Sequence, residues 1–504
     1  MRRRSRLPRE ARVAVIDIGS NSARVMVFER DSSNHLRVLA GSRAALRLVH
    51  DVDERAALSE ATMSHTMEAL RDFHAIATGA GATRIVAVAT AAMRDAGNGA
   101  LFAERVRREL GIHIRIIGGL PEARYGFAGA VRGLAITDGV LFDLGGGSIQ
   151  ISRYGRQRLI ESVSLPLGAL RLSEKFLLSD PPSGKQLRRL RDHVRSHLAG
   201  VRLARLTPGH RLVGTGGTVR NLAKIDRQMR QYPIDWLHGY ELSVDRLTEV
   251  VERLAATREK KRDEIPGLSA ERADSIVGGG MAILTLAKAV RAKGILVSGQ
   301  GLREGVALAL LKMPSVSAET VKEASVESLV SRFTGWRRDA PQQRRAIAAV
   351  LCRSLLPRTQ PGLSRAVDQA ARVLDIGRSI DVVNRHEHVS DILLHSELNG
   401  FTHDELMLVA AIVRRAGDRH ADVPALTLAG QAIDVSQLDR AAIILTLADE
   451  IEARCPVGRR IAVRCDVGRR VTLTVPSLRS WLAKDLDKRF ERAFGRPLFV
   501  KHPN

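Results

Sequence analysis

Asp17-Ile18-Gly19-Ser20-Asn21-Ser22 is the stretch that decides the fold of this chain, because Asp143-Leu144-Gly145-Gly146-Gly147-Ser148 repeats its design. Each stretch follows a short apolar run typical of a strand, residues 13–16 and residues 139–142. Each is also followed by further apolar residues. Both patterns therefore predict a hairpin between two strands.

The chemistry of both hairpins suits a phosphate. Glycine lets a turn adopt positive φ and brings backbone N–H groups close to an anion. Ser20, Ser22 and Ser148 add hydroxyl donors, and Asp17 and Asp143 at the strand ends can hold a divalent cation or a water. Either loop alone would fit a hairpin without a ligand equally well, but the pair indicates a phosphate chain held from two sides.

Two other phosphate-binding motifs are missing from the sequence. It contains no G-x-x-x-x-G-K-[ST] loop, and Gly214-Thr215-Gly216-Gly217-Thr218-Val219 breaks the G-x-G-x-x-G pattern at its last position. The sequence therefore disfavours a P-loop NTPase and a dinucleotide-binding fold.

The net charge favours an anionic ligand. The 504 residues include 79 Lys and Arg against 55 Asp and Glu, a net charge of +24, and such a surface raises the local concentration of polyanions. Aromatic residues make up only 4% of the chain, which argues against base stacking on single-stranded nucleic acid. A genome that prefers arginine would explain the same excess.

The chain is predicted to be soluble and cytoplasmic. Its basic start, residues 1–6, is not followed by the apolar segment of a signal peptide, and no run approaches the roughly 18 apolar residues that span a bilayer. Cys352, Cys455 and Cys465 show no C-x-x-C spacing, as expected in a reducing compartment. We therefore expect no membrane and no nucleic acid as partner.

The length and the residue pattern predict three regions, because a chain this long exceeds one ordinary core. Residues 1–125 and 126–310 each alternate strand and helix. Residues 311–504 are mostly helical and end in a predicted strand pair at residues 460–465 and 470–475. In this last region, four apolar residues are predicted to lie on one helical face: Leu406, Val409, Ala410 and Val413.

The chain resembles the exopolyphosphatase / guanosine pentaphosphate phosphohydrolase (Ppx/GppA) family over nearly its whole length. The matching stretches keep the family's order: VAVIDIGSNSARVMVFE (13–29), VATAAMRDAGN (88–98), GGLPEARYGFAGA (118–130), LFDLGGGSIQIS (141–152), LVGTGGTVRNLA (212–223), PGLSAERAD (266–274) and VSGQGLREGV (297–306). The resemblance implies an α/β fold class. Two actin-like (ribonuclease H-like, ASKHA superfamily) domains would be followed by an all-helical HD-like C-terminal domain with a small terminal strand element.

The resemblance also implies a function. An exopolyphosphatase is the first expectation: it would remove terminal phosphate processively from inorganic polyphosphate with Mg²⁺ or Mn²⁺. The protein would be a homodimer with a basic channel that runs toward the C-terminal domain. Two alternatives stay open, a guanosine pentaphosphate (pppGpp) 5′-phosphohydrolase and a non-catalytic polyanion-binding regulatory protein. A kinase of the same superfamily is disfavoured, because no pocket for a hydroxyl-bearing co-substrate can be read from the sequence.

Glu122 is the leading catalytic candidate. It follows the strand-like residues 114–117, in Gly119-Leu120-Pro121-Glu122-Ala123-Arg124. A carboxylate can orient a water in line with the terminal phosphorus and take its proton, and in the resembled family the glutamate before Ala-Arg has that role. On the residues alone, a first-turn glutamate favoured by the helix dipole would explain the same pattern.

Arg94 and Asp143 complete the expected catalytic set. Arg94 lies in a strand-to-helix loop and can fork onto the terminal phosphate, as the matching family arginine does, although a surface pair with Asp95 also fits the spacing. Asp143 and Asp17 are the expected metal ligands. The expected phosphate-binding residues are Gly19, Ser20, Asn21, Ser22, Gly145, Gly146, Gly147, Ser148, Gly216, Gly217, Thr218 and Arg272. Weaker basic candidates near the motifs are Lys224 and Arg220.

Three positions near the chemistry depart from the family pattern. Pro121 stands where the family often has a second acid, and Ile149 and Gln150 stand where it usually has Thr and Glu. A glutamate at 150 would help hold a divalent ion, whereas an amide ligates more weakly. The number of metal ions is therefore open, and this departure motivates the non-catalytic alternative.

The HD-like region is expected to lack its metal site and not to catalyse. At the position of the family's His-Asp pair the chain reads Val373-Leu374-Asp375-Ile376-Gly377. His403-Asp404 spells the dipeptide, but Thr402 and Glu405 around it predict a capping box at a helix start. Three other histidines are expected at the surface or in helix packing: His386, His388 and His395.

Overall fold

The computed structural model describes residues 11–201, 205–333, 337, 339–356, 361–418, 434–459, 462–475 and 486–501. They form two compact units. The first comprises residues up to Gln231 and Leu237–Ala324, and the second comprises Tyr232–Trp236 and the residues from Ser325 onward. Mixed sheets in the first unit and helices in the second agree with the expected α/β class with a helical C-terminal region. The domain boundaries at 125 and 310 stay predictions.

A five-stranded mixed sheet opens the first unit. Its strands are β1 (Arg12–Ile18), β2 (Ser22–Arg30), β3 (Leu36–Ala45), β4 (Arg84–Ala89) and β5 (Ile114–Ile116), in the order β3-β2-β1-β4-β5. β2 pairs antiparallel with both β1 and β3, whereas β4 and β5 continue the sheet parallel to β1. Ala14 and Ile16 of β1 pack into one core and Val13 and Val15 into another. β1 therefore reads as an unbroken apolar run, as strands buried on both faces do.

A six-stranded sheet follows in the same unit. Its strands are β6 (Gly139–Leu144), β7 (Ile149–Gly155), β8 (Arg158–Leu165), β9 (Arg211–Thr215), β10 (Tyr240–Ser243) and β11 (Gly294–Val297), in the order β10-β11-β9-β6-β7-β8. Traced from β8, it repeats the first sheet. An antiparallel meander of three strands is followed by two strands parallel to β6. β1 and β6 are therefore equivalent strands.

Helices join and flank these strands. The helices that follow strands of the first sheet are α1 (Leu48–Arg55), α2 (Glu60–Gly79), α3 (Ala91–Asp95), α4 (Gly99–Leu110) and α5 (Gly119–Ala130). The later helices of this unit are α6 (Ala169–Phe176), α7 (Gly184–Ala199), α8 (Gly217–Met229), α9 (Val244–Ala256), α10 (Glu259–Arg262), α11 (Ile276–Ala289) and α12 (Leu302–Leu310), with a 3-10 turn at Ala270–Arg272.

The close approach of α5 and α12 fixes the position of α5. A Cβ atom on Gly129 would lie 1.9 Å from the carbonyl oxygen of Gly301, and one on Gly305 would lie 1.8 Å from the carbonyl oxygen of Tyr125. Only glycine leaves room for this contact between two backbones. Because α5 begins just after β5, its first turn lies at the end of the first sheet.

The second unit is helical with a small sheet. Its helices are α13 (Ala318–Ser331), which spans the boundary between the units, α14 (Ala340–Leu355), α15 (Pro361–Val373), α16 (Arg385–His395), α17 (His403–Gly417), α18 (Val435–Ala453) and α19 (Leu486–Phe494). A 3-10 turn lies at Ile376–Ser379. The strands are β12 (Arg464–Val467), β13 (Val471–Thr474) and β14 (Leu498–Lys501), with β13 in the middle.

Several expectations for the second unit are confirmed. Antiparallel β12 and β13 form the expected strand pair, although residues 460 and 461 lie outside the described residues. The four apolar residues expected on one face of α17 are all buried in one core. Thr402 and Glu405 form the expected capping box at the start of α17. Within the described residues, no helix combines the length and apolar character needed to cross a bilayer.

A buried guanidinium donates hydrogen bonds to three carboxylates in the second unit. Arg344 of α14 is 0% exposed. It donates to Asp375 at 2.9 and 3.1 Å, to Asp449 at 2.9 Å and to Glu452 at 3.4 Å. Its positive charge, opposing burial, holds the pKa of Asp375 below its usual range. The aspartate at the position of the family's His-Asp pair is therefore an ion-pair partner of arginine.

Candidate active site

The two hairpins of the first unit are built alike. Asp17 of β1 stands opposite Arg24 of β2, and Asp143 of β6 stands opposite Gln150 of β7. One backbone hydrogen bond closes each loop, from Gly19 N–H to Ser22 O at 3.1 Å and from Gly145 N–H to Ser148 O at 2.9 Å. The repeated sequence design therefore produces a repeated local structure.

The two hairpin loops face each other across one cleft. A Cβ on Gly146 would lie 3.1 Å from Cβ of Asn21, and a Cβ on Gly147 would lie 3.3 Å from Oγ of Ser20. The hairpin cleft, about 130 Å³, is lined by both loops, by the turn at residues 215–217 and by residues 301–303. Of the expected site residues, its lining includes Asp17, Gly19, Ser20, Asn21, Ser22, Asp143, Gly145, Gly146, Gly216, Gly217 and Arg272.

Four expected residues line a neighbouring cavity. This Arg94 cavity, about 290 Å³, is lined by Arg94, Gly147 and Ser148, and also by Arg171. Ser20 lines both the cavity and the hairpin cleft. The second hairpin therefore borders both spaces: Gly145 and Gly146 line the hairpin cleft, and Gly147 lines the Arg94 cavity.

Two expected site residues, Glu122 and Thr218, line neither of these spaces, and the second of them, Thr218, lies in the core. Its side chain is fully buried, and a Cβ on Gly279 would lie 2.7 Å from its methyl group. Thr218 therefore packs α8 against α11. Gly217, by contrast, lies at the cleft, where a Cβ would lie 2.4 Å from the guanidinium of Arg272.

Glu122 lies in the first turn of α5 with its carboxylate partly buried. Nη1 of Arg94 lies 3.5 Å from Oε2 of Glu122 and also donates to the carbonyl oxygen of Ile117 at 3.0 Å. Burial and the negative charge of Asp143 raise the pKa of Glu122 to about 7, although Arg94 opposes that rise. A base with a pKa near neutrality can accept a proton from water during a reaction and release it again.

The two hairpin aspartates are partly buried, and burial raises the pKa of both. Burial and the charge of Asp17 raise the pKa of Asp143 to about 6, with Arg220 opposing the rise. Burial also raises the pKa of Asp17, while Arg303 and Arg24 lower it. Two partly buried carboxylates whose negative charge is incompletely balanced would bind a divalent cation favourably.

A second groove extends the hairpin cleft with positive charge. This basic groove, about 410 Å³, is lined by five cationic side chains: Arg24, Arg43, Arg220, Lys224 and Arg303. Three of them, Arg24, Arg220 and Arg303, also line the hairpin cleft. Burial and the neighbouring guanidinium groups lower the pKa of Arg24 to about 9. An anion would relieve that mutual repulsion.

Sequence reasoning missed three of these cations. Arg24 and Arg303 lie within two of the family stretches, residues 13–29 and 297–306, so their position in a motif was the available signal. Arg43 lies on β3, outside every quoted stretch. Its role depends on the register of β2 and β3, which pairs Arg43 with Arg24.

Family models and known proteins match this chain. A model of the Ppx/GppA phosphatase family matches residues 26–313, and a model of domain III of these phosphatases matches residues 321–478. Exopolyphosphatase 1 of Mycobacterium leprae is 29% identical over 301 residues, 59% of this chain and 88% of that protein. Exopolyphosphatase 2 of Mycobacterium tuberculosis is 31% identical over 314 residues, 59% of this chain and 98% of that protein.

Solved structures give the same picture. The Ppx/GppA family member from Aquifex aeolicus is 29% identical, with a TM-score of 0.54 over 61% of this chain and 100% of that one. An exopolyphosphatase from Cytophaga hutchinsonii, 24% identical with a TM-score of 0.54, shares the fold over 61% of this chain and 99% of its own. The chain belongs to the Ppx/GppA phosphatase family, as its motifs predicted, and is a hydrolase acting on phosphoanhydride bonds.

Proposed function

We propose that the chain is an exopolyphosphatase that hydrolyses the terminal phosphoanhydride bond of inorganic polyphosphate. One observation carries the proposal: Arg24, Arg220 and Arg303 line both the cleft that holds Asp17 and Asp143 and the adjoining basic groove. A chain of phosphates could occupy both spaces at once, with its end at the carboxylates. The exopolyphosphatase names of the relatives support this substrate.

Glu122 is the base in this proposal. It takes a proton from the water that attacks the terminal phosphorus, and the bond that breaks joins this phosphorus to the bridging oxygen. Orthophosphate leaves, and the remaining chain is shorter by one phosphate. Arg94, 3.5 Å from Glu122, would donate to the terminal phosphate oxygens, and N–H groups of the two loops would bind the same oxygens.

Asp17 and Asp143 would hold Mg²⁺ or Mn²⁺. Both are partly buried with raised pKa values and line the hairpin cleft. No cluster of three or more His, Cys, Asp or Glu ligands occurs among the described residues, but Mg²⁺ commonly takes one or two carboxylates and completes its shell with water and phosphate oxygens. The bound ion would offset the negative charge of the phosphates.

The lining of the basic groove favours polyphosphate over pppGpp. Its described lining residues carry five cationic side chains and no aromatic ring. A repeating anion needs only such charges, whereas proteins commonly hold a base by stacking it on an aromatic side chain. The groove therefore supports polyphosphate as the preferred substrate.

The domain assignments are also proposals. We assign the two sheets of the first unit to actin-like domains of the ASKHA superfamily, because both follow one strand order. We assign the second unit to an HD-like domain in which Arg344 supplies the cation. The homodimer, the channel toward the C-terminal domain and the cytoplasmic location stay predictions.

Phosphate release measured side by side tests the function. Long-chain polyphosphate and pppGpp are each incubated with the protein and Mg²⁺, with Mn²⁺ and with excess chelator. The expected result is metal-dependent release of orthophosphate, faster from polyphosphate. Faster release from pppGpp would assign the nucleotide activity, and no release from either would favour the regulatory alternative.

A further inference from the structure

Gln150 is the residue at which the two hairpins differ most. In the first hairpin the residue opposite the aspartate is Arg24, a cation that lines the hairpin cleft. In the second hairpin it is Gln150, a neutral amide that is 9% exposed and lies outside the lining of that cleft. At equivalent positions, therefore, Arg24 adds positive charge to the hairpin cleft and Gln150 does not line it.

The amide of Gln150 reaches the start of α5. Its Nε2 donates to the carbonyl oxygen of Gly119 at 2.8 Å. Gly119 is the first residue of α5, and Glu122 follows it within the same turn, where the N–H of Glu122 donates to the carbonyl oxygen of Gly118. The amide is thus bonded to the turn that carries the catalytic carboxylate.

This turn has few other restraints. Gly118, the N-cap of α5, makes no side-chain capping bond. A Cβ on Gly119 would find no heavy atom within 4 Å, so no packed neighbour confines the backbone on that side. Two consecutive glycines are also conformationally permissive. The hydrogen bond from Gln150 therefore restrains the glycine side of a turn whose other restraints are the contact of α5 with α12 and the pairing of Arg94 with Glu122.

We propose that Gln150 is a positioning residue that holds the first turn of α5 so that the carboxylate of Glu122 faces the attacking water. The inference rests on the proposed function, in which Glu122 is the base. It gives the departure from the family's glutamate a physical reason. An ionised carboxylate has no N–H to donate to Gly119, and it would add negative charge opposite Asp143. At this position the amide serves as a donor and not as a weakened metal ligand.

Gln150→Met tests the role, with Gln157→Met as the matched control. Gln157, in the turn between β7 and β8, makes the same kind of bond, from Nε2 to the carbonyl oxygen of Ile136 at 3.0 Å. Misplacement of a reacting group by about 1 Å can cost about 10²-fold in rate. We therefore expect Gln150→Met to lower kcat by about 10- to 100-fold while KM changes by less than about twofold, and Gln157→Met to leave both unchanged.

A double variant shows whether Gln150 acts through Glu122. If it does, Glu122→Gln combined with Gln150→Met is no slower than Glu122→Gln alone, because the group being positioned is already inactive. A purely structural role would lower the residual rate and the substrate affinity further. Gln150→Glu keeps the shape of the side chain, so it tests the proposal even where the Met variant folds poorly, and it should also lose kcat.

Three outcomes would overturn the inference. The first is that Gln150→Met and Gln157→Met have equal kcat values. The second is that Gln150→Met lowers kcat by the same factor in Glu122→Gln as in the wild-type protein, and the third is that Gln150→Glu gains kcat with a lower Mg²⁺ requirement. The last result would make position 150 a metal-ligand position. Failure of the proposed function would look different, because the wild-type protein itself would then release no phosphate from any phosphoanhydride substrate.

Discussion

Two sets of three carboxylates, one in each unit of this protein, differ in how arginines surround them. The first set, named the catalytic cluster for the role proposed above, consists of Asp17, Glu122 and Asp143. The arginine-filled cluster consists of Asp375, Asp449 and Glu452, with Arg344 among them. Burial raises the pKa of Glu122 to about 7, whereas Arg344 keeps the pKa of Asp375 below its usual range.

The comparison shows that the position of the cation decides what a buried carboxylate can do. A guanidinium bonded directly to a carboxylate favours its ionised form and occupies its oxygens. Around the catalytic cluster the arginines line a cleft, and the nearest one to Glu122 lies 3.5 Å from it. The raised pKa values of Glu122 and Asp143 mean that these carboxylates can bind a proton or a metal ion near neutral pH. Groups with such shifted pKa values are typical of active sites.

Removing the base should have the largest effect. Glu122→Gln keeps the size of the side chain but cannot accept the proton of water, and loss of a general base typically costs about 10²–10⁴-fold in rate. Polyphosphate binding should persist, because it depends on the loops and arginines. Phosphate release and equilibrium binding measure the two effects separately. Glu161→Gln, which changes an exposed glutamate paired with Arg153, should leave both unchanged, and a near wild-type rate for Glu122→Gln would reject its role.

Removing Arg344 from the arginine-filled cluster should destabilise the second unit. Arg344→Met removes the fully buried cation that the three carboxylates share and leaves them only the more exposed Arg337, Arg378 and Arg385. Breaking a buried pair costs about 3–5 kcal/mol. The neighbouring Arg345 makes a partly exposed pair with Asp368 at 2.8 Å, so Arg345→Met should cost less than about 1 kcal/mol. Urea unfolding of both variants measures the difference. Equal midpoints would show that the cluster does not depend on Arg344.

Salt should weaken the binding of long chains more than that of short ones. If the five cations of the basic groove each neutralise one phosphate, a single-strand slope of about −0.7 per contact predicts on the order of a 50-fold loss of affinity between 100 and 300 mM KCl. Triphosphate makes fewer such contacts and should lose much less. Binding to Glu122→Gln, which prevents turnover, gives both slopes. Equal slopes, or tighter binding of pppGpp at every salt concentration, would favour the nucleotide phosphatase.

The pH dependence should follow Glu122. Because only the ionised carboxylate accepts a proton, kcat should fall about tenfold per pH unit below the pKa of Glu122, near 7. Arg94 lowers that pKa, so Arg94→Met should move the acid limb to higher pH as well as slow the reaction. Arg153→Met, at an exposed pair, should leave the limb in place. A rate that stays constant from pH 5 to 8 would contradict the assignment.

Much of the catalytic half could be predicted because its chemistry is local in sequence. An aspartate, glycines and serines within six residues define each hairpin, and both hairpins formed as expected. Glu122 and Arg94 were found by their motifs, and the structure brings them within 3.5 Å of each other. Thr218 shows the limit of this reasoning, because a residue inside a glycine-rich motif can still point into the core.

The family, the two hairpins and the candidate base could be predicted from local residue patterns, because glycine, aspartate and apolar runs act through the backbone of their own segment. Which distant charges meet depends on how the segments pack. Arg43 joins the basic groove through the pairing of β3 with β2, and Arg344 reaches carboxylates 31 to 108 residues away. Gln150 reaches Gly119 across 31 residues. The energy of a charge or a buried amide depends on its neighbours in space, and those neighbours are fixed only when the strands and helices pack.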